Sequence, residues 1–330
     1  MTGRIEALCV SEAKGEPKRP VQRARFVAGH GIEGDAHAGR WHRQVSLLAA
    51  EEADAWRREL PDLGPGDFAE NVLLRGLDVG ALGLGSRLRL GDQVELAITQ
   101  LGKECHGHRC TVFERMGDCL MPRRGLFARV LQGGEAEPGQ PAAILERVPR
   151  EVVQAVVLTV SDRCGRGESA DTAGPAVADL LRERLGAHVY SLDVVPDEPD
   201  RIRRTLEHYC DGHSIDLVAT VGGTGFASRD VTPEATRAVV ERPTPGLDEA
   251  MRAASLAKTP HAMLSRGASG IRKRTLVVNL PGSQRGAVEN LEAILPALPH
   301  GIRKLRGDPS PCAAPAREGP GRPAEGDCRG

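Results

Sequence analysis

The hydrophobic rhythm of the chain changes near Val152, and that change argues for two separately built cores. Before it, Arg4–Val10, Val21–Val27, Val45–Leu48, Asn71–Leu74, Arg87–Leu90 and Gln93–Thr99 read as short strands, broken by the turns GHGIEGD, PGD and LGD and by one helix at Ala50–Glu59. Many short strands joined by glycine-rich turns predict a mostly-β barrel with small helical additions. After it, VVQAVVLTV is a continuous apolar, β-branched run, the pattern of a strand covered on both faces. A helix at about Gly174–Leu185, strand His188–Val195, a helix across Pro199–Tyr209, strand Ile215–Val221, a helix from Pro233, strand Thr275–Leu280 and helix Gly286–Leu298 follow. Regular alternation of strand and helix predicts a doubly wound, mainly parallel α/β sheet. The polar, proline-containing RVPRE at 147–151 is the expected joint, giving domains 1–146 and 152–306. Residues 307–330, rich in Pro and Gly, are expected to be a disordered tail.

A chain of 330 residues has room for two such cores. With two Trp, two Tyr and five Phe, both must be built from Val, Leu, Ile and Ala. The formal net charge of −1 and the lack of a basic tract leave nucleic acid an unexpected partner. Residues 1–20 mix charges throughout, and no apolar run approaches the roughly 18 residues of a membrane span. A cytoplasmic location, without signal peptide or membrane segment, is therefore expected, with the eight Cys mostly thiols. Cys9, Cys164 and Cys210 read as isolated thiols, and Cys312 and Cys328 fall in the tail.

Ligands of an open α/β sheet sit beyond the carboxyl ends of its strands. Five segments end there with chemistry-bearing residues. LTVSD brings Ser161 and Asp162, DVVPDE brings Asp197, and VGGTGFASRD brings Gly222, Gly223, Thr224, Gly225, Arg229 and Asp230. MLSRGASG adds Ser265 and Arg266, and VVNLPGS adds Asn279, Pro281, Gly282 and Ser283. Gly222, Gly223 and Gly225 permit φ > 0 and close approach of backbone N–H groups to an anion. Asp230 lies where Mg2+ could bridge to that anion. Thr232-Pro233-Glu234 reads as N-cap, first-turn proline and first-turn acid of the next helix. Taken alone, GGTG is equally a tight turn, and Asp162 or Asp197 singly could be helix caps.

Over residues 152–306 the chain resembles the molybdopterin adenylyltransferase family, relatives of the gephyrin G domain. LTVSD, VPDE, GGTGFxxRDVTPEAT, PGLxEAMR, AMLSR and NLPG carry the resemblance. It implies a molybdopterin-binding fold, ATP-dependent transfer of AMP to the terminal phosphate of molybdopterin, and a homotrimer. It also implies Asp197 and Asp230 as catalytic Mg2+ ligands, with Ser161, Asp162, Gly222–Gly225 and Arg229 holding phosphate or nucleotide. Ser265 and the Asn279–Pro281–Gly282 loop would contact pterin phosphate or AMP.

The first half carries its own cluster, Cys105, His106, His108, Cys110 and Cys119, within QLGKECHGHRCTVFERMGDCLMPRRG. Closely spaced thiols and imidazoles suit a soft metal, but this spacing is not a standard structural zinc pattern. A molybdenum–sulfur or persulfide site, a zinc site and scattered core thiols all fit. GHGIEGDAHAG, RQVSLLA, ENVLLRGLD and LGSRLRLGD, with the cysteine following ITQ, resemble the MOSC domain of molybdenum cofactor sulfurases. That resemblance implies Cys105 as ligand or sulfur carrier for molybdenum cofactor, while the Cys110 and Cys119 pair departs from it. Arg40, His42 and Arg43 either help hold the pterin phosphate or form a solvated turn. The combined expectation is molybdenum cofactor biosynthesis alongside other proteins of that route, with a non-catalytic carrier and a Cys105 sulfurtransferase as alternatives.

Overall fold

Closure of the first half into a ring disposes of its strand edges. The structure, a computed structural model, describes residues 2–103, 113 and 118–310. Its first unit contains β1 (Thr2–Val10), β2 (Arg19–Val21), β3 (Ala24–Val27), β4 (Gly31–Ile32), β5 (Val45–Ala49), β6 (Val72–Arg75), β7 (Arg87–Leu90), β8 (Val94–Leu101), β9 (Leu126–Gln132), β10 (Gly134–Ala136) and β11 (Pro141–Glu146). Seven strands run in the order β11-β7-β8-β9-β5-β6-β1, and β1 pairs back onto β11 with Thr2 opposite Ala143. Such a ring leaves no edge for another chain to extend. Helix α1 (Ala50–Arg57) crosses between β5 and β6, which are the parallel pair of the ring. A short helix, α2 (Met121–Arg124), precedes β9.

The segment Val21–Val27 is not one strand. Its first residue ends β2, on the barrel, and Ala24–Val27 forms β3 in a separate three-stranded sheet with β4 and β10. The exposed polar Gln22 and Arg23 sit at the break. Loops beside it are tied by a buried ion pair, Lys18 Nζ to Asp35 Oδ2 at 2.5 Å, with Ser11 donating its N–H to the same oxygen.

The second unit is a six-stranded sheet of β12 (Gln154–Val160), β13 (His188–Val195), β14 (Leu217–Val221), β15 (Arg242–Pro243), β16 (Ser269–Arg272) and β17 (Thr275–Leu280), in the order β13-β12-β14-β17-β16-β15. The first four are mutually parallel, and β16 and β15 add antiparallel. Its helices are α3 (Asp162–Gly165), α4 (Ala173–Leu185), α5 (Pro199–Gly212), α6 (Thr232–Val239), α7 (Pro245–Leu256), α8 (Gln284–Ile294) and α9 (Leu298–Leu305). Alternate residues of β12 divide between two apolar clusters. Ala155 and Val157 join Val177, Leu181, Leu291 and Ile294 of α4 and α8. Val156 and Leu158 join Ile202, Leu206, Ala235 and Val239 of α5 and α6. Helices therefore cover both faces of β12, which is why it reads as an unbroken apolar run. No helix among the described residues is long and apolar enough to cross a membrane.

The two units meet directly. Ser214 Oγ accepts from the N–H of Leu101 at 3.1 Å and donates to its carbonyl at 3.0 Å. His213 Nδ1 lies 2.8 Å from Thr99 O, and the His42 ring of the barrel packs against that of His213 with centroids 4.3 Å apart and planes tilted by 35°.

Candidate active site

Because β12, β13, β14 and β17 are parallel, the segments leaving their carboxyl ends share one rim. Gly222 follows β14 with φ +107°, and a Cβ there would stand 2.4 Å from Val160 O. Gly223 has φ +65°, and its Cβ would stand 3.1 Å from Asp197 Oδ1. Both positions therefore require glycine. Gly225 does not adopt positive φ as the sequence suggested; what excludes a side chain there is Asp230 Oδ2, 2.9 Å from where its Cβ would lie. Among the described residues, the backbone N–H groups of Gly223, Thr224 and Gly225 meet no protein acceptor. Three consecutive unused donors in a glycine turn form an anion cradle.

The two acids singled out by sequence both border this cradle. Asp197 and Asp162 are locked reciprocally: the Asp162 N–H donates to Asp197 Oδ2 at 2.8 Å, and the Asp197 N–H to Asp162 Oδ1 at 3.0 Å. Asp230 Oδ2 accepts from the N–H of Ala227 at 2.8 Å. Burial pushes the Asp197 carboxyl above its ordinary value, and the nearby Asp162 and Asp230 carboxylates push the same way. Asp162 is held low by Arg229, which grips it through Nε and Nη2 at 2.7–3.0 Å. Three carboxylates thus gather at one turn with a single guanidinium on one of them. This oxygen-rich, charge-deficient setting fits a hard divalent cation. No group of three or more His, Cys, Asp or Glu among the described residues is arranged to enclose an ion. Mg2+ is commonly held by one or two carboxylates, with water and phosphate completing its shell.

Arg266, given no role by the sequence reading, secures the loop. Its N–H donates to Thr224 O at 3.0 Å, Nε to Gly225 O at 2.7 Å, Nη2 to Asp230 O, and Nη1 to Glu234 at 2.5 Å. The signal was present, since MLSR placed it at the rim, but only the fold brings it across to the glycine turn. Thr232 is not an N-cap: α6 begins at Thr232 with Val231 as cap, and the buried Thr232 Oγ1 has no hydrogen-bond partner among the described residues.

The remaining rim residues divide by exposure. Ser161 Oγ caps α3 by accepting from the Cys164 N–H at 3.2 Å. Asn279 is 2% exposed and internally committed: Nδ2 donates to Thr220 and Thr236 hydroxyls at 2.8 Å each, and Oδ1 accepts from the Ala268 N–H. It positions the loop from within. Pro281 and Gly282 follow it on the rim, where a Cβ on Gly282 would come 3.3 Å from Gly222 Cα. Ser265 Oγ lies 3.5 Å from the Gly267 N–H.

In the barrel, Cys105, His106, His108 and Cys110 lie outside the described residues. Cys119 is buried in an apolar cluster with Leu48, Phe68, Met121 and Phe127. Arg40 is exposed, whereas Arg43 lays its guanidinium over Trp41 at 4.8 Å and His42 is drawn toward the second unit.

Comparison with known proteins agrees with this architecture. The family model described as a probable molybdopterin binding domain matches residues 156–300, and that of the MOSC domain matches residues 34–143. The molybdopterin adenylyltransferase of Helicobacter pylori is 42% identical over 153 residues, 46% of this chain and 87% of that protein. The molybdopterin adenylyltransferase of Escherichia coli is 41% identical over 152 residues, 44% of this chain and 77% of that one. Gephyrin of Dictyostelium discoideum is 41% identical over 163 residues, which span 22% of its length. The class is that of a two-domain molybdenum cofactor biosynthesis protein. The chain belongs, through its second half, to the molybdopterin adenylyltransferase family, and carries an N-terminal MOSC domain.

Proposed function

We propose that the second domain, 152–306, is a nucleotidyltransferase that moves AMP from ATP to the terminal phosphate of molybdopterin and releases pyrophosphate. The observation that carries this reading is the pair Asp197 and Asp230 flanking three backbone N–H groups that meet no acceptor among the described residues, at the carboxyl edge of a parallel sheet. The substrate phosphate is the nucleophile, so no side chain need attack. The N–H groups of Gly223, Thr224 and Gly225 would hold phosphate oxygens in place, and Arg266 keeps that turn rigid. Mg2+ on Asp197 and Asp230 would neutralise phosphate charge as the leaving group departs. Arg229, paired with Asp162 and exposed, would meet phosphate from the solvent side.

The same reading takes the sheet as a doubly wound molybdopterin-binding fold, working in the cytoplasm as a homotrimer through this domain. Exposed apolar side chains such as Phe226 and Met263 would gain cover in such an assembly. The barrel, 1–146, would bind or modify molybdenum cofactor through Cys105, joined by the 147–151 linker. Tethering raises the effective concentration of one site at the other.

Incubation with molybdopterin and Mg-ATP, followed by mass spectrometry, tests the reading. Adenylylated pterin is the expected product. Bound but unmodified pterin would favour the carrier, and persulfide on Cys105 without adenylylation the sulfurtransferase.

A further inference from the structure

We propose that the cleft between the two domains is a second anion site, built by both of them, for a phosphate-bearing ligand. The cleft has a volume of about 1000 Å³ and carries seven Arg and Lys side chains against three Asp and Glu. Arg43, Lys103 and Arg123 come from the barrel, Arg150 from the joint, and Lys273, Arg274 and Arg306 from the second domain. Two of the three acids are already engaged. Asp216 is held by Arg306 at 2.6 and 2.7 Å, and Asp211 by Arg272 at 2.5 and 2.8 Å. Among the described residues, Arg43, Lys103, Arg150 and Arg274 have no carboxylate partner.

Two of these cations are also poorly solvated. Among the described residues the buried Nε of Arg43 meets no acceptor, and burial depresses the basicity of its guanidinium. Arg150 is depressed by burial first, then by repulsion from Arg124, Arg274 and Arg306. Crowded, partly desolvated cations lacking counter-charge are stabilised by an anion among them, and phosphate offers several acceptors at once.

The cleft is separate from the rim. Gln154 and Thr275, which line it, are the first residues of β12 and β17, whereas the glycine turn lies beyond the carboxyl ends. Strands of this length, at about 3.3 Å per residue, set the two sites roughly 15–20 Å apart. Neither domain alone would present the full set of cations.

The test is calorimetric titration of the intact chain with inorganic pyrophosphate at low salt and with EDTA present. Wild type and Asp230→Ala should both bind, because the rim acids are not involved. Lys103→Gln should weaken binding about three- to tenfold, and higher salt should weaken it further. Arg274→Gln should do the same while Arg274→Lys restores affinity, which separates lost charge from the loss of its bonds to the end of α9. Competition by molybdopterin against AMP then distinguishes a phosphorylated pterin from a nucleotide as occupant. Absence of saturable binding, equal affinity in Lys103→Gln, or loss of binding in Asp230→Ala would overturn the proposal.

Discussion

Replacing Gly222 by Ala asks how tightly the cradle is built. The residue sits at φ +107°, where a side chain is strained by about 1–3 kcal/mol. Its new methyl would also stand 2.4 Å from Val160 O, a backbone atom in a fully buried strand that cannot swing aside. Relieving that overlap means moving the turn by several tenths of an ångström, at a further cost of about 1–3 kcal/mol. Together these give roughly 2–6 kcal/mol, or about 4–24 °C in the melting midpoint of a domain this size. Gly246 supplies the control: it lies in α7 with no atom within 4 Å of its Cβ position, so Gly246→Ala should be neutral or stabilising. Thermal melting by circular dichroism reads both. Gly222 also donates to Leu280 O at 3.0 Å, so the displaced turn should misplace the adjoining N–H groups and lower pyrophosphate release. A Gly222→Ala protein melting within about 1 °C of wild type would refute the packing argument.

Three further outcomes are expected. Asn279→Leu removes a buried amide that serves three partners and should destabilise the second domain by roughly 2–4 kcal/mol in urea unfolding. Glu70 is fully buried, with Oε2 unpartnered among the described residues, and burial raises its carboxyl from 4.5 to about 7. Its folded form holds the extra proton, so its contribution is full below about pH 4.5 and is lost as pH rises through 7. Glu70→Gln should flatten the fall in melting midpoint between pH 5 and 8, and an unchanged slope would count against this. Burial lowers His42 to about 3 and His213 to about 4, so both stay neutral at the domain contact but accept protons once released. Stability present above about pH 6.5 is then lost as pH falls toward 4, and proteolysis within 147–151 should quicken at pH 5 relative to pH 7.

The parts of the fold that the sequence exposed are those where local pattern and tertiary role coincide. β12, β14 and β17 carry largely apolar runs because helices cover both faces, and Thr275–Leu280 is the segment the pattern marked. β16, SGIR, has one large apolar residue and is a strand because β17 offers it a partner, which no local pattern reveals. β9 and β11 escaped notice because they follow the cysteine-rich segment and complete the ring by long-range pairing. At the site, the glycines and acids were legible because strand ends must converge. Arg266 spanning to Gly225, Asn279 turned inward and the packing of His42 against His213 join residues far apart in sequence. Those contacts exist only after folding.

The central claim is tested most directly by ATP-dependent pyrophosphate release, measured with molybdopterin as acceptor, for wild type and Asp230→Ala side by side. Turnover lowered by at least about a hundredfold, with molybdopterin binding largely retained, is the predicted result. Undiminished turnover in the variant would remove Asp230 from the mechanism, and with it the reading of the glycine turn as a nucleotidyl-transfer site.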